Sequence, residues 1–399
     1  MIPRFFFIFG RQPALSIGEL VRILPNSQWL KLKQAALYRG GGVLDLTKLS
    51  QQLAGIVKLG TIIAVVNQSD FTKWLEQYPW LRLVKGSGKF HFGFSDYSEG
   101  SLADLTRAGI KVKKIYKNAG IASRFVTSRD KQLSSVVVAK NKLLTGGAEL
   151  CFFTDQAMIY VGQTKAVQDF EYFGQKDYGR PTAQAKAGML PPKLARMMIH
   201  LAEAKPTDSL LDPFCGVGTV LQEAADIGLT EVVGADIEEK AVEKAKENMA
   251  WFKREVKSQI ITPQIIQSDI INLQRRLLRR TFDRIVTEGY LGPPLHQNVT
   301  IVKRRQIAEE LAGFYKRVMP NLVSLLSPRG KIVIALPVIR LDKVWQRLDL
   351  AGAYERAGLR TAPIVPADWA EYLKHEGDSV IYSRPQQQVG REIVILTRK

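Results

Sequence analysis

Cysteine, histidine and long apolar runs are scarce in this sequence of 399 residues. The two cysteines, Cys151 and Cys215, and four widely spaced histidines form neither a disulfide framework nor a zinc-binding pattern. We therefore expect no metal and a reducing, cytoplasmic location. The longest apolar runs, residues 59–66 and 331–339, have the length of a strand and fall short of the roughly 20 residues that a membrane helix needs. We expect no membrane partner.

Acidic residues are also few, 38 against 57 basic ones, which gives a formal net charge of +19. The excess is largest in residues 107–142, where ten basic residues accompany one acid, Asp130. Such a run predicts contact with a polyanion, although it is also compatible with a solvated surface. Residues 201–250 carry four basic and eleven acidic residues, which favours a small cationic ligand. The candidate nucleic-acid contacts are Lys111, Lys113, Lys114, Lys117, Arg124, Arg129 and Lys131.

The patterning predicts an α/β protein whose two halves differ. Residues 1–65 read as a ferredoxin-like α+β module, residues 66–166 as a second α+β unit, residues 167–181 as an irregular linker, and residues 182–399 as the largest domain. In the first half we predict helices at 16–24 (capped by Ser16 and Glu19), 49–59 and 101–108, a hairpin turn at 40–42 and a strand at 135–144.

The second half alternates strands and helices, which predicts a doubly wound, Rossmann-like parallel sheet. The last two apolar segments, 380–384 and 392–397, flank a turn-rich stretch and predict an antiparallel hairpin at one edge. The predicted parallel strands are 209–212, 231–236, 264–267, 284–287 and 331–337.

The strongest local signal is the sequence Asp-Pro-Phe-Cys-Gly-Val-Gly-Thr at residues 212–219, between an apolar strand and a helix. Glycines allow close approach of a ligand to the backbone, and a helix N-terminus offers free N–H groups. Asp236, 18 residues after Gly218, ends the next strand, where a carboxylate can accept both hydroxyls of an adenosine ribose. Asp269 ends the following strand and can receive the adenine amine. The candidate cofactor-binding residues are Asp212, Pro213, Gly216, Gly218, Thr219, Asp236, Ile237, Asp269 and Ile270.

These spacings fit either a dinucleotide or S-adenosyl-L-methionine. A nicotinamide dinucleotide needs a third glycine under its pyrophosphate, and Leu221 stands at that position. Asp212 would repel pyrophosphate but can bind the ammonium group of a methionine moiety. S-adenosyl-L-methionine is therefore the preferred cofactor.

Residues 178–252 resemble the class I methyltransferase domain of THUMP-containing tRNA guanosine N2-methyltransferases. The resemblance lies in Arg180-Pro181, in Pro-Pro-Lys-Leu-Ala-Arg at 191–196, in Asp-Pro-Phe-Cys-Gly at 212–216 and in Gly-Ala-Asp-Ile at 234–237. The first half looks like the ferredoxin-like and THUMP arrangement of that family. The resemblance implies S-adenosyl-L-methionine as methyl donor, tRNA as substrate, and the basic N-terminal half as the part that holds tRNA.

The end of the fourth strand departs from that family. The family has Asp-Pro-Pro-Tyr there, whereas this chain has Glu288-Gly289-Tyr290. Glu288 is the candidate acceptor for the protons of an exocyclic amine, and Tyr290 the candidate stacking face. Glu is one methylene longer, and Tyr290 lies one position early. Three interpretations stay open: the same amine in a shifted pose, another target atom, or loss of catalysis.

The sequence thus predicts a methyltransferase that modifies tRNA, at the N2 amine of a guanosine. Two alternatives remain, a DNA amino-methyltransferase and a non-catalytic RNA-binding protein that keeps the fold. Cys215 lies in the cofactor turn and is expected to pack there rather than to act as a nucleophile.

Overall fold

The computed structural model describes residues 2–25, 27–86, 88–100, 102, 104–182, 188–375 and 377–399. Residue contacts divide the chain into two units. The first consists of Met1–Ser16 and Leu24–Phe170, and the second of Ile17–Ile23 and Glu171–Lys399. Among the described residues, none of the helices has the length and apolar character needed to cross a membrane.

The first unit is built on one mixed sheet. The strands and helices of the first half are β1 (Phe5–Phe9), α1 (Pro13–Ile23), β2 (Trp29–Lys31), β3 (Ala35–Tyr38), α2 (Leu46–Gln52), β4 (Ile56–Asn67), α3 (Phe71–Gln77), β5 (Phe90–Asp96), α4 (Leu105–Asn118), β6 (Ser123–Val126), α5 (Ser135–Lys140), β7 (Gly147–Asp155) and β8 (Met158–Val167). All of these belong to the first unit except Ile17–Ile23 of α1, which belongs to the second. The strand order is β2-β3-β1-β4-β8-β7-β5-β6. β1 to β4 are antiparallel, whereas β5 pairs in parallel with β6 and β7.

A buried ion pair crosses the middle of this sheet. Lys58 of β4 donates to the Glu149 carboxylate of β7 at 2.6 Å and to the carbonyl of Leu133 at 2.7 Å. Glu149 also accepts from Ser95 and Thr164. Because both charged groups are buried, these hydrogen bonds offset their desolvation.

Several local predictions for the first unit are wrong. α1 begins at Pro13, a favoured residue in the first turn, so Ser16 lies inside the helix and donates to the carbonyls of Gln12 and Gly55 instead of capping it. The turn between β2 and β3 lies at 32–34 rather than at 40–42, and the predicted helix 49–59 is the end of α2 followed by β4. The helix predicted at 101–108 begins at Leu105 and continues to Asn118; residues 101 and 103 lie outside the described residues.

Two further segments are helical against prediction. Residues 135–140 were expected to be a strand because of their β-branched side chains, but Ser134 caps them as a helix by accepting from the N–H of Val137 at 3.2 Å. Residues 170–178, expected to be irregular, form α6 (Phe170–Tyr178), and Phe173 and Lys176 are buried on it.

The second half is an α/β structure, as predicted. After α6 come α7 (Pro192–Leu201), β9 (Ser209–Asp212), α8 (Thr219–Asp226), β10 (Glu231–Asp236), α9 (Glu239–Trp251), β11 (Gln264–Gln267), α10 (Ile270–Arg276), β12 (Phe282–Glu288), α11 (Ile301–Ser324), β13 (Leu326–Leu341), β14 (Val344–Gln346), α12 (Ala351–Arg356), β15 (Leu359–Ala362), α13 (Ala367–Leu373), β16 (Val380–Tyr382) and β17 (Val389–Arg398). The strand order is β11-β10-β9-β12-β13-β17-β15. β11 to β13 are parallel, and β17 runs antiparallel to β13, β15 and β16, which confirms the predicted antiparallel pair.

The strand order reverses at β9, which has β10 on one side and β12 on the other. Connections leave β9 and β12 in opposite directions at such a point, so a crevice opens at the carboxyl ends of the strands. Asp212, Asp236 and Glu288 are the last residues of β9, β10 and β12, and all three therefore reach this crevice.

Candidate active site

The turn between β9 and α8 is shaped by two glycines in the left-handed region, Gly216 (φ 51°) and Gly218 (φ 86°). Side chains other than glycine rarely adopt this conformation. The turn is tied to the next strand, because Cys215 N–H donates to the Ala235 carbonyl at 2.8 Å and Gly216 N–H to the Asp236 carboxylate at 2.9 Å. Cys215 is buried, and burial raises the pKa of its thiol, so its environment is that of a packing residue.

Asp212 is an almost fully buried carboxylate, 2% exposed, at the end of β9. It accepts from the Thr287 hydroxyl at 2.6 Å and from the Phe214 N–H at 3.2 Å. Burial, with a smaller contribution from the charges of Asp236 and Glu288, raises its pKa to about 7 despite these hydrogen bonds. Among the described residues no basic side chain pairs with Asp212, so a cationic ligand group would be its natural counter-ion.

The other two predicted acids have local partners. Asp236 accepts from the N–H groups of Gly216 and Glu238, and burial raises its pKa. Asp269 caps α10 by accepting from the Ile271 N–H at 3.0 Å. Ile237 and Ile271 are 58% and 63% exposed at the adjoining wall, where they offer apolar surface to a flat ring.

These residues line one cavity of about 900 Å³. Of the predicted cofactor-binding residues, all but Gly218 line it, and so do both predicted catalytic residues, Glu288 and Tyr290. Gly218 shapes the turn from behind, against Ala245. Within the described ranges no group of His, Cys, Asp and Glu side chains is arranged to bind a metal.

Glu288 has a partner that the sequence did not indicate. Its carboxylate accepts a hydrogen bond from the guanidinium Nε of Arg391 on β17, and the two side chains are 18% and 3% exposed. Arg391 also donates from Nη2 to the carbonyl of Gly188 at 2.8 Å. Burial raises the pKa of Glu288, and the charge of Arg391 opposes that shift.

Tyr290 stands at the mouth of the cavity and is 52% exposed. Its ring lies 6.0 Å from that of Phe314, edge to face, and its carbonyl accepts from the Tyr315 hydroxyl at 2.9 Å. The Tyr315 ring fills the space beside Gly289, so a side chain at position 289 would collide with it. Tyr315 therefore fixes the backbone of this variant motif, and no local sequence signal marks that role.

The predicted nucleic-acid contacts lie in the first unit. α4 buries Gly109, Val112 and Tyr116, so its lysines occupy the opposite, exposed face. Lys111 pairs with Glu76 at 3.0 Å, and both side chains are well exposed. Lys131 is also well exposed and lies 4.0 Å from the largely buried Asp96. Arg124 lies on β6, and Arg129 lies in the exposed segment that follows it.

Comparison with known families gives two matches. The family described as an RMKL-like methyltransferase domain matches residues 180–342, and a family described as DNA methylase matches residues 95–247. The crystal structure of TrmN from Thermus thermophilus covers all of this chain and is itself fully covered, with a TM-score of 0.56 and 17% identity. At that identity the likeness concerns the fold. Residues 180–342, which include every residue that lines the cavity, are thus similar to a methyltransferase domain.

The names of curated relatives are more specific than that of the matching family. A probable tRNA (guanine(10)-N2)-dimethyltransferase of Methanothermococcus thermolithotrophicus is 30% identical over 170 residues, which are 41% of this chain and 88% of the relative. The tRNA (guanine(10)-N2)-dimethyltransferase of Methanothermobacter thermautotrophicus is 34% identical over 173 residues, 43% of this chain and 45% of the relative. The chain belongs to the family of the tRNA (guanine-N2)-methyltransferases. The chain spans about half the length of the relative from Methanothermobacter thermautotrophicus and of those from Pyrococcus abyssi and Methanocaldococcus jannaschii.

Proposed function

We propose that this protein transfers a methyl group from S-adenosyl-L-methionine to the N2 amine of a guanosine in tRNA. The observation that carries the proposal is the Glu288 carboxylate, which ends β12 and lines the same cavity as Tyr290 and the turn at Gly216. A hydrogen-bond acceptor, an aromatic face and a cofactor-type turn thus share one cavity.

The residues present fit the cofactor. Asp212 offers a buried carboxylate without a cationic partner among the described residues, which suits the ammonium group of methionine. Asp236 suits the ribose hydroxyls, and Ile237 and Ile271 suit the faces of adenine. Bound there, S-adenosylmethionine supplies an electrophilic methyl group and leaves as S-adenosylhomocysteine.

The acceptor amine has to be held and deprotonated by the protein. The lone pair of an exocyclic amine is delocalised into the ring, so a carboxylate that accepts its N–H groups increases its nucleophilicity. As the new N–C bond forms, the nitrogen gives up one proton, for which the Glu288 carboxylate is the nearest acceptor at the end of β12. The ring of Tyr290 can stack on the base once it is unstacked from the RNA.

An ionised carboxylate also favours guanine over other bases. Guanine presents two adjacent donors, N1–H and the N2 amine, whereas the amines of adenine and cytosine stand beside an acceptor nitrogen that a carboxylate repels. This supports N2 of guanosine against the amines that DNA amino-methyltransferases modify.

We further propose the domain roles. Residues 1–65 form a ferredoxin-like module, 66–166 a THUMP-like RNA-binding domain, 167–181 the connection, and 182–399 the catalytic domain with a Rossmann-like sheet. The antiparallel order β4-β1-β3-β2 and the strand order of the second half support this division. The exposed lysines of α4, with Arg124, Arg129 and Lys131, support tRNA binding by the basic half.

The matching DNA methylase family gives one alternative a specific basis. A DNA amino-methyltransferase would methylate adenine or cytosine in a duplex. A non-catalytic RNA-binding protein would bind tRNA and S-adenosylmethionine without methyl transfer.

The test is transfer of labelled methyl to unmodified tRNA, with duplex DNA as parallel substrate and digestion to nucleosides. We expect label in N2-methylguanosine. Label in N6-methyladenine or N4-methylcytosine would support the DNA alternative, and binding without any transfer would support the non-catalytic one.

A further inference from the structure

Arg391 connects two walls of the candidate active site. Its Nε donates to the Glu288 carboxylate, and its Nη2 donates to the Gly188 carbonyl at 2.8 Å. Glu288 ends β12, whereas Gly188 precedes α7, and both residues line the cavity. Arg391 itself is not among the lining residues.

The contact crosses a whole strand of the sheet. In the register, Glu288 pairs with Ala335 of β13, and Arg391 of β17 pairs with Pro337 of β13. The guanidinium therefore reaches past β13 to arrive at Glu288. Side chains normally contact their immediate cross-strand neighbours, so this reach indicates a specific pairing.

We infer that Arg391 is a positioning residue of this site, which holds the Glu288 carboxylate ionised and oriented toward the cavity and anchors the Gly188 wall to it. The inference rests on the proposed function for its catalytic consequence. Arg391 acts through Glu288.

The burial of the pair supports this role. Side-chain exposures of 3% for Arg391 and 18% for Glu288 mean that both charges have lost most of their water. Such a pair adds little to folding stability compared with well-packed apolar residues, whereas removal of one partner leaves a buried charge without compensation. A stability role alone would not require a charged pair at the end of the strand that lines the cavity.

The other groups that face Glu288 do not replace Arg391. Asp212 on β9 is a second carboxylate whose charge interacts unfavourably with Glu288, and Tyr315 on α11 is a neutral phenol whose pKa is raised by burial and by Glu288. Arg391 is the basic group that lowers the pKa of Glu288 against the effect of burial. Without it, the pKa of Glu288 would rise further, which favours the protonated form that cannot accept a proton from the amine.

The experiment compares Arg391→Gln and Arg391→Lys with the wild-type protein in single-turnover methyl transfer to tRNA from pH 5.5 to 9, at saturating S-adenosylmethionine. The matched control is Arg347→Gln, because Arg347 pairs with Glu392, the next residue of β17, at 2.8 Å and neither lines the cavity. Cofactor affinity is measured by calorimetry for each protein.

For Arg391→Gln we expect the acid limb of the pH profile to move up by about one to two pH units, since a nearby opposite charge shifts a carboxyl pKa by about that much. On the acid limb the rate should then fall about 10- to 100-fold and recover toward pH 9, with cofactor affinity unchanged. Arg391→Lys should restore most of the pH profile, and Arg347→Gln should leave it in place. An unmoved acid limb in Arg391→Gln, or equal loss of rate at every pH in both Arg391 variants, would overturn the inference.

A second measurement separates this inference from the proposed function. If wild-type protein transfers no methyl to tRNA, the proposed function fails, and the titration of Glu288 is followed by carbon NMR of protein labelled at the glutamate carboxyl carbon. The Glu288 signal is the one lost in Glu288→Gln. A higher midpoint in Arg391→Gln, partly restored in Arg391→Lys, supports the inference, and equal midpoints overturn it.

Discussion

The two ends of the cavity treat buried carboxylates in opposite ways. At the proposed cofactor end, Asp212 is buried without a basic partner among the described residues, and its pKa is raised to about 7. At the substrate end, Glu288 is held by Arg391, whose charge opposes the effect of burial. The ionised form of Asp212 is destabilised by burial until a cationic ligand binds, whereas Glu288 is paired with a cation of the protein, Arg391.

The ligands proposed for the two ends account for this difference. A carboxylate that awaits a cationic ligand gains most from having no competing guanidinium, because the ligand then supplies the missing charge. A carboxylate that must accept the protons of a neutral amine receives no cation from its ligand. Under the proposed function it has to be ionised before the base arrives, and the charge of Arg391 favours that form by opposing the effect of burial on the pKa of Glu288.

The largest effect is expected from Glu288→Gln, which removes the anion at the substrate end and keeps its size. The single-turnover rate of methyl transfer to tRNA should fall about 10²–10³-fold, as for loss of one preorganised hydrogen-bonding group. Cofactor affinity, measured by calorimetry, should stay unchanged. Glu392→Gln is the control, because Glu392 pairs with Arg347 and lies outside the cavity. A Glu288→Gln protein with wild-type rates would contradict the assignment.

Asp212→Asn should weaken cofactor binding at the other end of the cavity. A charged hydrogen bond is worth about 1.5–3 kcal/mol, so the dissociation constant of S-adenosylmethionine should rise about 10- to 100-fold. The maximal rate at saturating cofactor should change much less. Calorimetry and single-turnover kinetics distinguish the two quantities, and a variant with normal affinity but a slow maximal rate would reverse the proposed roles of the two ends.

Substitutions of Tyr290 test whether its ring stacks on the target base. Stacking of a base on an aromatic ring contributes about 1–3 kcal/mol, so Tyr290→Ala should raise the KM for tRNA about thirtyfold. Tyr290→Phe should behave like wild type, since the carbonyl of residue 290, rather than its hydroxyl, forms the hydrogen bond with Tyr315. Equal defects in both variants would point to a role for the hydroxyl instead.

The cofactor end could be predicted from sequence because its parts are local. The turn at 212–219 follows a short apolar strand, and each acid ends its own strand, so spacing alone brings Asp212, Asp236 and Asp269 to the same edge. The α/β class of the second half followed from the same alternation. The hydrogen bond from the Gly216 N–H of the turn to the Asp236 carboxylate then completes a geometry already implied.

The substrate end could be predicted only in part, because its partners are distant in sequence. Arg391 is 103 residues from Glu288, and their contact depends on how β17 pairs with β13. Tyr315 reaches Tyr290 from the second half of a 24-residue helix. In the first half, the valines of 136–138 favoured a strand on propensity, whereas capping by Ser134 and burial of Val138 favour the helix that forms.

The smallest expected effect concerns the pH dependence of cofactor binding. A cationic group binds the ionised form of Asp212, and the pKa of this group is about 7 in the ligand-free protein. As pH falls from 7 to 6 the ionised fraction drops, so the dissociation constant should rise about fivefold, with a limit of about tenfold per pH unit further down. Asp212→Asn has no such group and should bind weakly with a much flatter pH profile. The measurement is the dissociation constant by isothermal calorimetry at both pH values. The same pH dependence in wild type and Asp212→Asn would mean that another group titrates, such as Asp236, whose pKa is also raised by burial.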